Sequence, residues 1–240
     1  MDEALRLIGA AACGAGGYIG SRGITYALDR FDTGIIEHGT NKKASAAAAV
    51  MACLMSALSV RMGGSLLTWA LGALFWMSLS GAAYSDGLTK EIYDCVYYPG
   101  IAGCIGMLCV LKPEKGVLVE MGIFLVLQFA LFRLMYGMSD CIAFSMCSLY
   151  LASFGCGMLE HMAVMLLTLV LFVAWQWLSK NIHASRKSLK EKSFLKLKEP
   201  DAMIPYILGA MGIVTVCMSV PLAWGLVLFA AGAVAVLVFL

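Results

Sequence analysis

Long apolar runs separated by short polar segments dominate this chain. A helix that crosses a lipid bilayer needs about 20 predominantly apolar residues, because each backbone amide must find its hydrogen bond within the helix. The pattern therefore predicts an all-α polytopic membrane helical bundle of about eight or nine transmembrane helices, in a single domain over residues 1–240. The candidate spans are residues 4–28, 44–60, 64–85, 97–111, 117–139, 141–159, 162–179, 203–219 and 222–240.

The composition indicates a membrane protein and argues against nucleic acid as a partner. Hydrophobic residues make up 61% of the chain and charged residues only 13%, and the mean hydropathy is +0.87. A soluble domain of this length fills its core with fewer apolar residues, so we expect the lipid bilayer as the main solvent. The net charge of +2 is too small to indicate nucleic-acid binding. Cysteines and histidines are scattered without metal-ligand spacing, so we expect no metal and no other cofactor.

The basic residues predict an orientation. The cytoplasmic linker over residues 180–201 holds seven Lys or Arg residues against three acids, and such an excess stays on the cytoplasmic side of a membrane. Counting spans back from it places the loop between the helices of the N-terminal helical pair (4–60) inside. The ends of the third and fifth spans also fall inside, provided that the fourth span crosses completely. A re-entrant fourth segment would place those two ends on opposite faces.

Two aspartates lie at these cytoplasmic ends. Asp86 closes the third span and Asp140 closes the fifth. A charge at a membrane costs free energy. An aspartate at the end of a membrane helix is therefore either an interfacial residue in contact with water or a functional residue. Two close carboxyl groups share one proton, so one can activate a water as a base while the other acts as an acid toward a peptide carbonyl. The pair predicts an aspartic peptidase with Asp86 and Asp140 as its catalytic residues.

Residues near these acids have predicted supporting roles. Gly137 is three residues before Asp140, and a glycine on that helix face lets a substrate or helix approach the acid. Ser139 is nearly as small. Arg133, about 10 Å earlier along the same helix, either snorkels toward the cytoplasm or influences the ionisation of Asp140. Pro205 is at the predicted start of the eighth span, where a missing N–H costs nothing.

Three segments resemble the type IV prepilin peptidases, a family of membrane aspartic peptidases. The first catalytic segment of the family is similar to Asp86-Gly87-Leu88-Thr89-Lys90-Glu91-Ile92, its G-x-G-D motif to Gly137-Met138-Ser139-Asp140, and its late Ile-Pro-Phe element to Ile204-Pro205-Tyr206. The resemblance covers about residues 64–220. It implies that the residues that bind substrate or support the acids are Lys90, Ile92, Gly137, Ser139 and Pro205, to which its position on the helix adds Arg133.

The resemblance also implies a biological setting. The expected activity is removal of the short basic leader from a prepilin or pseudopilin substrate helix, at the cytoplasmic face of a bacterial inner membrane, for type IV pilus assembly or protein secretion. The loop over residues 29–43 is short and lacks a cysteine tetrad, so the methyltransferase activity of larger members is not implied. Tyr93 and Ser139 depart from the family pattern. An inactive relative that serves as an assembly subunit and an ion- or proton-coupled transporter are the alternatives.

Overall fold

The computed structural model describes residues 3–31, 41–63, 65–90, 92, 94–131, 137–187 and 202–219. This part of the chain is all-helical and contains no strand. A short 3₁₀ turn, Asp94–Val96, precedes the fourth helix. The helices are α1 (Glu3–Phe31), α2 (Lys42–Gly63), α3 (Leu66–Thr89), α4 (Tyr98–Leu111), α5 (Lys115–Leu131), α6 (Met138–Ser153), α7 (Met158–Lys187) and α8 (Ile204–Ser219).

Three of the described segments are long and apolar enough to cross a membrane: Leu66–Leu88, Asp94–Leu111 and Met158–Leu178. Large apolar side chains also face outward, and Leu159 is 82% exposed. Soluble proteins rarely present such surface, whereas a lipid-facing surface is apolar. The predicted span over 222–240 lies outside the described residues. The remaining helices do not meet the length and hydropathy of a span by themselves.

The N-terminal pair is joined by small residues. A Cβ on Gly14 would lie 3.1 Å from the Cβ of Cys53, and a Cβ on Gly17 would lie 3.2 Å from that of Ala52. Small residues let two membrane helices approach closely enough for van der Waals contact along their length. The pair then packs on α3, and Thr25 Oγ1 donates to Tyr84 Oη at 3.4 Å.

An aromatic cluster of Phe75, Trp76 and Tyr150 joins α3 to α6. The three side chains are fully buried. Trp76 Nε1 donates to Tyr150 Oη at 3.2 Å, and the rings of Phe75 and Tyr150 stack with centroids 4.2 Å apart. A buried polar group that finds a partner avoids a desolvation cost of about 1–3 kcal/mol. The cluster therefore sets the register between the two helices.

Helix α4 lies against both α3 and α6, and two glycines allow this. A Cβ on Gly103 would lie 2.5 Å from the backbone oxygen of Leu71 in α3. A Cβ on Gly100 would lie 2.5 Å from Met146 Sδ in α6 and 2.8 Å from Ser78 Cβ in α3. Any other residue at position 103 would push α4 away from α3, because the obstacle there is backbone.

The fifth predicted span ends earlier than expected, which changes the setting of Asp140. Helix α5 is described as far as Leu131, and α6 begins at Met138 after Gly137, whose backbone is extended, so Asp140 lies in the first turn of α6 and not at the end of a helix over 117–139. Gly137 is the N-cap of α6, and its N–H donates to Asp140 Oδ2 at 3.2 Å. Acidic side chains are favoured in a first turn, where backbone N–H groups are unpaired.

Two further expectations change with these boundaries. Gly137 contacts Asp140 as a helix cap, and not from one turn earlier on the same helix. Helix α7 extends to Lys187, so the first eight residues of the predicted linker over 180–201 are helical, and residues 188–201 lie outside the described part of the chain. Arg133 is also outside it.

Candidate active site

The register of α3 and α6 brings the two aspartates to one end of the helix pair. Asp86 follows Trp76 by ten residues, and Asp140 precedes Tyr150 by ten residues. With a rise of about 1.5 Å per residue, each acid lies about 15 Å along its helix from the Trp76–Tyr150 hydrogen bond. The charge of Asp86 acts on Asp140, so both displacements lead toward the same end and the two helices run in opposite directions. We call this region, with Asp86, Asp140 and Ile204, the acid corner.

Asp86 is bound to the start of α8. Its side chain is 7% exposed, and its Oδ2 accepts the N–H of Ile204 at 2.8 Å. The first N–H groups of a helix have no partner within the helix and lie at the positive end of its dipole, so a carboxylate stabilises them. Pro205 lies beside this contact, since a Cβ on Gly87 would be 3.7 Å from its Cγ. Two of the three segments noted in the sequence are therefore in direct contact.

Asp140 is partly exposed and lies outside the three segments that are long enough to span a membrane. Burial raises the pKa of Asp140 to about 6, the negative charge of Asp86 contributes to the increase, and the N–H of Gly137 opposes it. Asp86 is thus close enough to Asp140 to affect its ionisation. A carboxyl group with this pKa still carries a proton in mildly acidic solution, as a general acid must.

Tyr97 also belongs to this region, although the sequence reasoning did not select it. It precedes α4 directly and is fully buried. The negative charges of Asp140 and Asp86 both act on its phenol. Its hydroxyl has no hydrogen-bond partner within the described part of the chain. The signal in the sequence was a single polar group at the head of the fourth apolar run, which is too common to single out.

The other predicted residues lie around the acids in different ways. Lys90 is exposed and ends α3 in a left-handed conformation, with φ of 58°, and its positive charge acts on Asp86. Ile92 packs partly buried against the core. Ser139 is partly exposed in the first turn of α6, as is Pro205 in that of α8. Proline is common in the first turn of a helix, so Pro205 has a structural role whatever its further function.

The site offers acid–base chemistry. Among the described residues, no group of three or more histidine, cysteine, aspartate or glutamate side chains could hold a metal ion. The groups that meet at the acid corner are two carboxyls and backbone amides, with the Tyr97 phenol nearby. Such groups can take a proton from a water and give one to a carbonyl oxygen or an amine.

No protein-family model matches the chain, and no curated protein and no solved structure is significantly similar to it. The likeness to prepilin peptidases therefore rests on three short segments. Their arrangement around Asp86 is an observation independent of that likeness.

Proposed function

We propose that this protein is a membrane aspartic endopeptidase in which Asp86 and Asp140 activate a water molecule. The observation that carries the proposal is the presence of both carboxyl groups at one end of α3 and α6, although 54 positions separate them in the chain. Each acid also accepts a backbone N–H at the start of a helix, but that role does not require the two acids to lie close together. Two like charges close together in a poorly hydrated region cost free energy, and such a cost is usual at catalytic sites.

The proposed reaction is peptide-bond hydrolysis with one proton shared by the pair. The ionised carboxylate takes a proton from water, whose oxygen bonds to the carbonyl carbon while the protonated carboxyl gives its proton to the carbonyl oxygen. The C–N bond then breaks as the first carboxyl returns its proton to the leaving nitrogen. The second carboxyl regains a proton from the hydroxyl of the tetrahedral intermediate. Products are a carboxylic acid and an amine, and the assignment of roles belongs to the pair.

The proposed substrate is a prepilin-like helix with an apolar stem in the bilayer and a short basic leader on the cytoplasmic side of a bacterial inner membrane. The similarity of the three segments to prepilin peptidases supports this choice, as does the contact of Ile204 with Asp86. The basic stretch between α7 and α8 supports the cytoplasmic side. Exposed Asp94, together with the acid pair, offers negative charge to a basic leader. The substrate helix must unwind locally, because a helical peptide bond is not open to attack.

The test is leader removal from a prepilin-like substrate by the full chain in lipid, followed by mass spectrometry. Asp86→Asn and Asp140→Asn keep an oxygen that can accept the N–H groups of Ile204 and Gly137, so both variants should fold. We expect each to lower the cleavage rate by about 10³-fold or more.

Glu114→Gln is the matched control, because it makes the same chemical change at an exposed acid at the far end of α4. It should cleave like the wild type. Full cleavage by both aspartate variants would overturn the mechanism. A folded wild type that binds the substrate without cleaving it would favour an assembly subunit instead.

A further inference from the structure

We propose that Tyr97 is a positioning residue of the aspartate pair, whose phenol O–H donates the hydrogen bond that orients the water shared by Asp86 and Asp140. This inference rests on the proposed function and adds a third group to its site. Three observations carry it: the placement of Tyr97 between the two acid-bearing helices, its complete burial, and its hydroxyl without a partner.

The placement follows from the packing of α4. Gly100, one turn after Tyr97, touches Ser78 of α3 and Met146 of α6. Met146 lies six residues beyond Asp140, or about 9 Å along α6. Cα–Cβ bonds tilt toward the N-terminus of a helix, so a side chain at the head of α4 is directed toward the end where the acids lie.

The burial makes an unpaired hydroxyl costly. Tyr97 is 0% exposed, and its hydroxyl meets no hydrogen-bond partner among the described residues. Buried polar groups in folded proteins are almost always paired with protein or water. The charged and titratable groups that act on the phenol are Asp140 and Cys147 on α6, Asp86 on α3 and Asp94 in the turn before α4. The carboxylates of the pair are the acceptors that a phenol donor favours, and one water can span a gap that is too long for a direct bond.

The function of such a bond is to hold the pair in one arrangement. A donor aimed at the water fixes the direction of its lone pair toward the peptide carbonyl. The same donor stabilises the ionised carboxylate through that water and so favours the state in which one acid holds the proton and the other does not. Tyr97 itself gains and loses no proton in the reaction.

Tyr97→Phe deletes the hydroxyl and keeps the ring, and Tyr150→Phe is its matched control. Tyr150 is equally buried, but its hydroxyl accepts from Trp76 and belongs to the aromatic cluster. We expect Tyr97→Phe to lower kcat about 10- to 100-fold, with KM within twofold and Tm unchanged. The acidic limb of its pH–rate profile should move to higher pH, because the ionised carboxylate has lost a donor. Tyr150→Phe should lower Tm and leave the acidic limb of the pH–rate profile in place, because it removes a contact between α3 and α6 and no donor to the pair.

Infrared difference spectroscopy tests the bond without catalysis. The carboxyl bands of the pair are those that disappear in Asp86→Asn and Asp140→Asn. They should shift in Tyr97→Phe and not in Tyr150→Phe. A measurement that does not depend on the folding of Tyr97→Phe is the tyrosine C–O band, which should shift for one tyrosine in Asp140→Asn and not in Glu114→Gln.

The outcomes separate the two proposals. If the wild type cleaves its substrate while Tyr97→Phe has an unchanged kcat and pH profile, the inference is wrong and the peptidase remains. If kcat falls but no carboxyl band shifts, the proposed hydrogen bond is wrong. If the wild type cleaves nothing, the proposed function fails, and the infrared bands alone decide whether Tyr97 bonds to the pair.

Discussion

The aromatic cluster and the acid corner join the same two helices, α3 and α6, in opposite ways. In the cluster, the indole N–H of Trp76 meets the hydroxyl of Tyr150 at 3.2 Å, and the surrounding rings are fully buried. In the acid corner, the negative charge of Asp86 acts on the like-charged carboxyl group of Asp140, and the hydroxyl of Tyr97 lacks a partner within the described chain.

The aromatic cluster contributes to stability, whereas the acid corner has the groups that chemistry requires. Every polar atom named in the cluster lowers the free energy of the folded state by pairing with another. The acid corner holds groups that would be more stable apart, and natural proteins keep such arrangements mainly at functional sites. Substitutions in the two regions should therefore act on different quantities.

The largest expected effect comes from Asp86, where charge and capping can be separated. Asp86→Asn keeps an acceptor for the N–H of Ile204, whereas Asp86→Ala removes it. Both should lose cleavage by about 10³-fold or more. Only Asp86→Ala should also lower the free energy of unfolding, by about 1 kcal/mol for a lost helix cap. Cleavage rates and thermal unfolding in lipid measure the two effects, and equal destabilisation by both variants would contradict the capping role.

The next largest effect, on stability, is expected from substitution of a glycine far from the acids. Gly103→Ala would place a Cβ 2.5 Å from the Leu71 backbone oxygen, whereas Gly137→Ala would place one 3.5 Å from Asp140 Oδ2, an ordinary contact. We expect Gly103→Ala to destabilise the fold by about 1–3 kcal/mol and Gly137→Ala by about 0.5–1 kcal/mol, because alanine is a poorer N-cap than glycine. Denaturant or thermal unfolding measures both. A tolerated Gly103→Ala would mean that α4 does not approach α3 so closely.

A smaller effect, of opposite sign, is expected at Lys90. This residue has φ of 58°, a conformation that costs a residue with a Cβ about 1–2 kcal/mol. Lys90→Gly relieves this strain but adds entropy to the unfolded chain. The net result should be a free energy of unfolding that is higher by about 0.5–1 kcal/mol. Lys90→Ala serves as the control, because it removes the charge and keeps the strain. If both variants change stability equally, charge and not backbone strain is the cause.

The last expected effect is a pH dependence of stability from Asp140, which appears as a slope and not as a change at one pH. Its pKa is about 6 in the folded protein against an ordinary value of 3.8, so the folded state binds the proton more tightly than the unfolded state does. This contribution is fully present below pH 3.8 and is lost as the pH rises through about 6. Tm should therefore fall over that interval more in the wild type than in Asp140→Asn. Parallel curves would show that Asp140 is not the titrating group.

The helices were the part of the fold most open to prediction, and their ends the least. The apolar run over 117–139 hid the break at Gly137 and the start of α6 at Met138, because hydropathy in a membrane protein has little contrast between adjacent helices. The capping contact between Gly137 and Asp140 was a local signal for that start. In this case tertiary and local hydrogen bonding overrode the length of the apolar run.

For the candidate site, the sequence by itself determined that the chain is apolar and predicted to be helical, and that two acids lie at the ends of apolar runs. Only the tertiary structure decided that Asp86 caps α8 through Ile204, that both acids lie at one end of α3 and α6, and that Tyr97 is buried near them. The physical reason is the separation along the chain of the residues that each property involves. Hydrophobicity and charge act residue by residue and can be read along a chain, whereas the register of two helices depends on contacts such as Trp76 with Tyr150, made between residues far apart in the sequence.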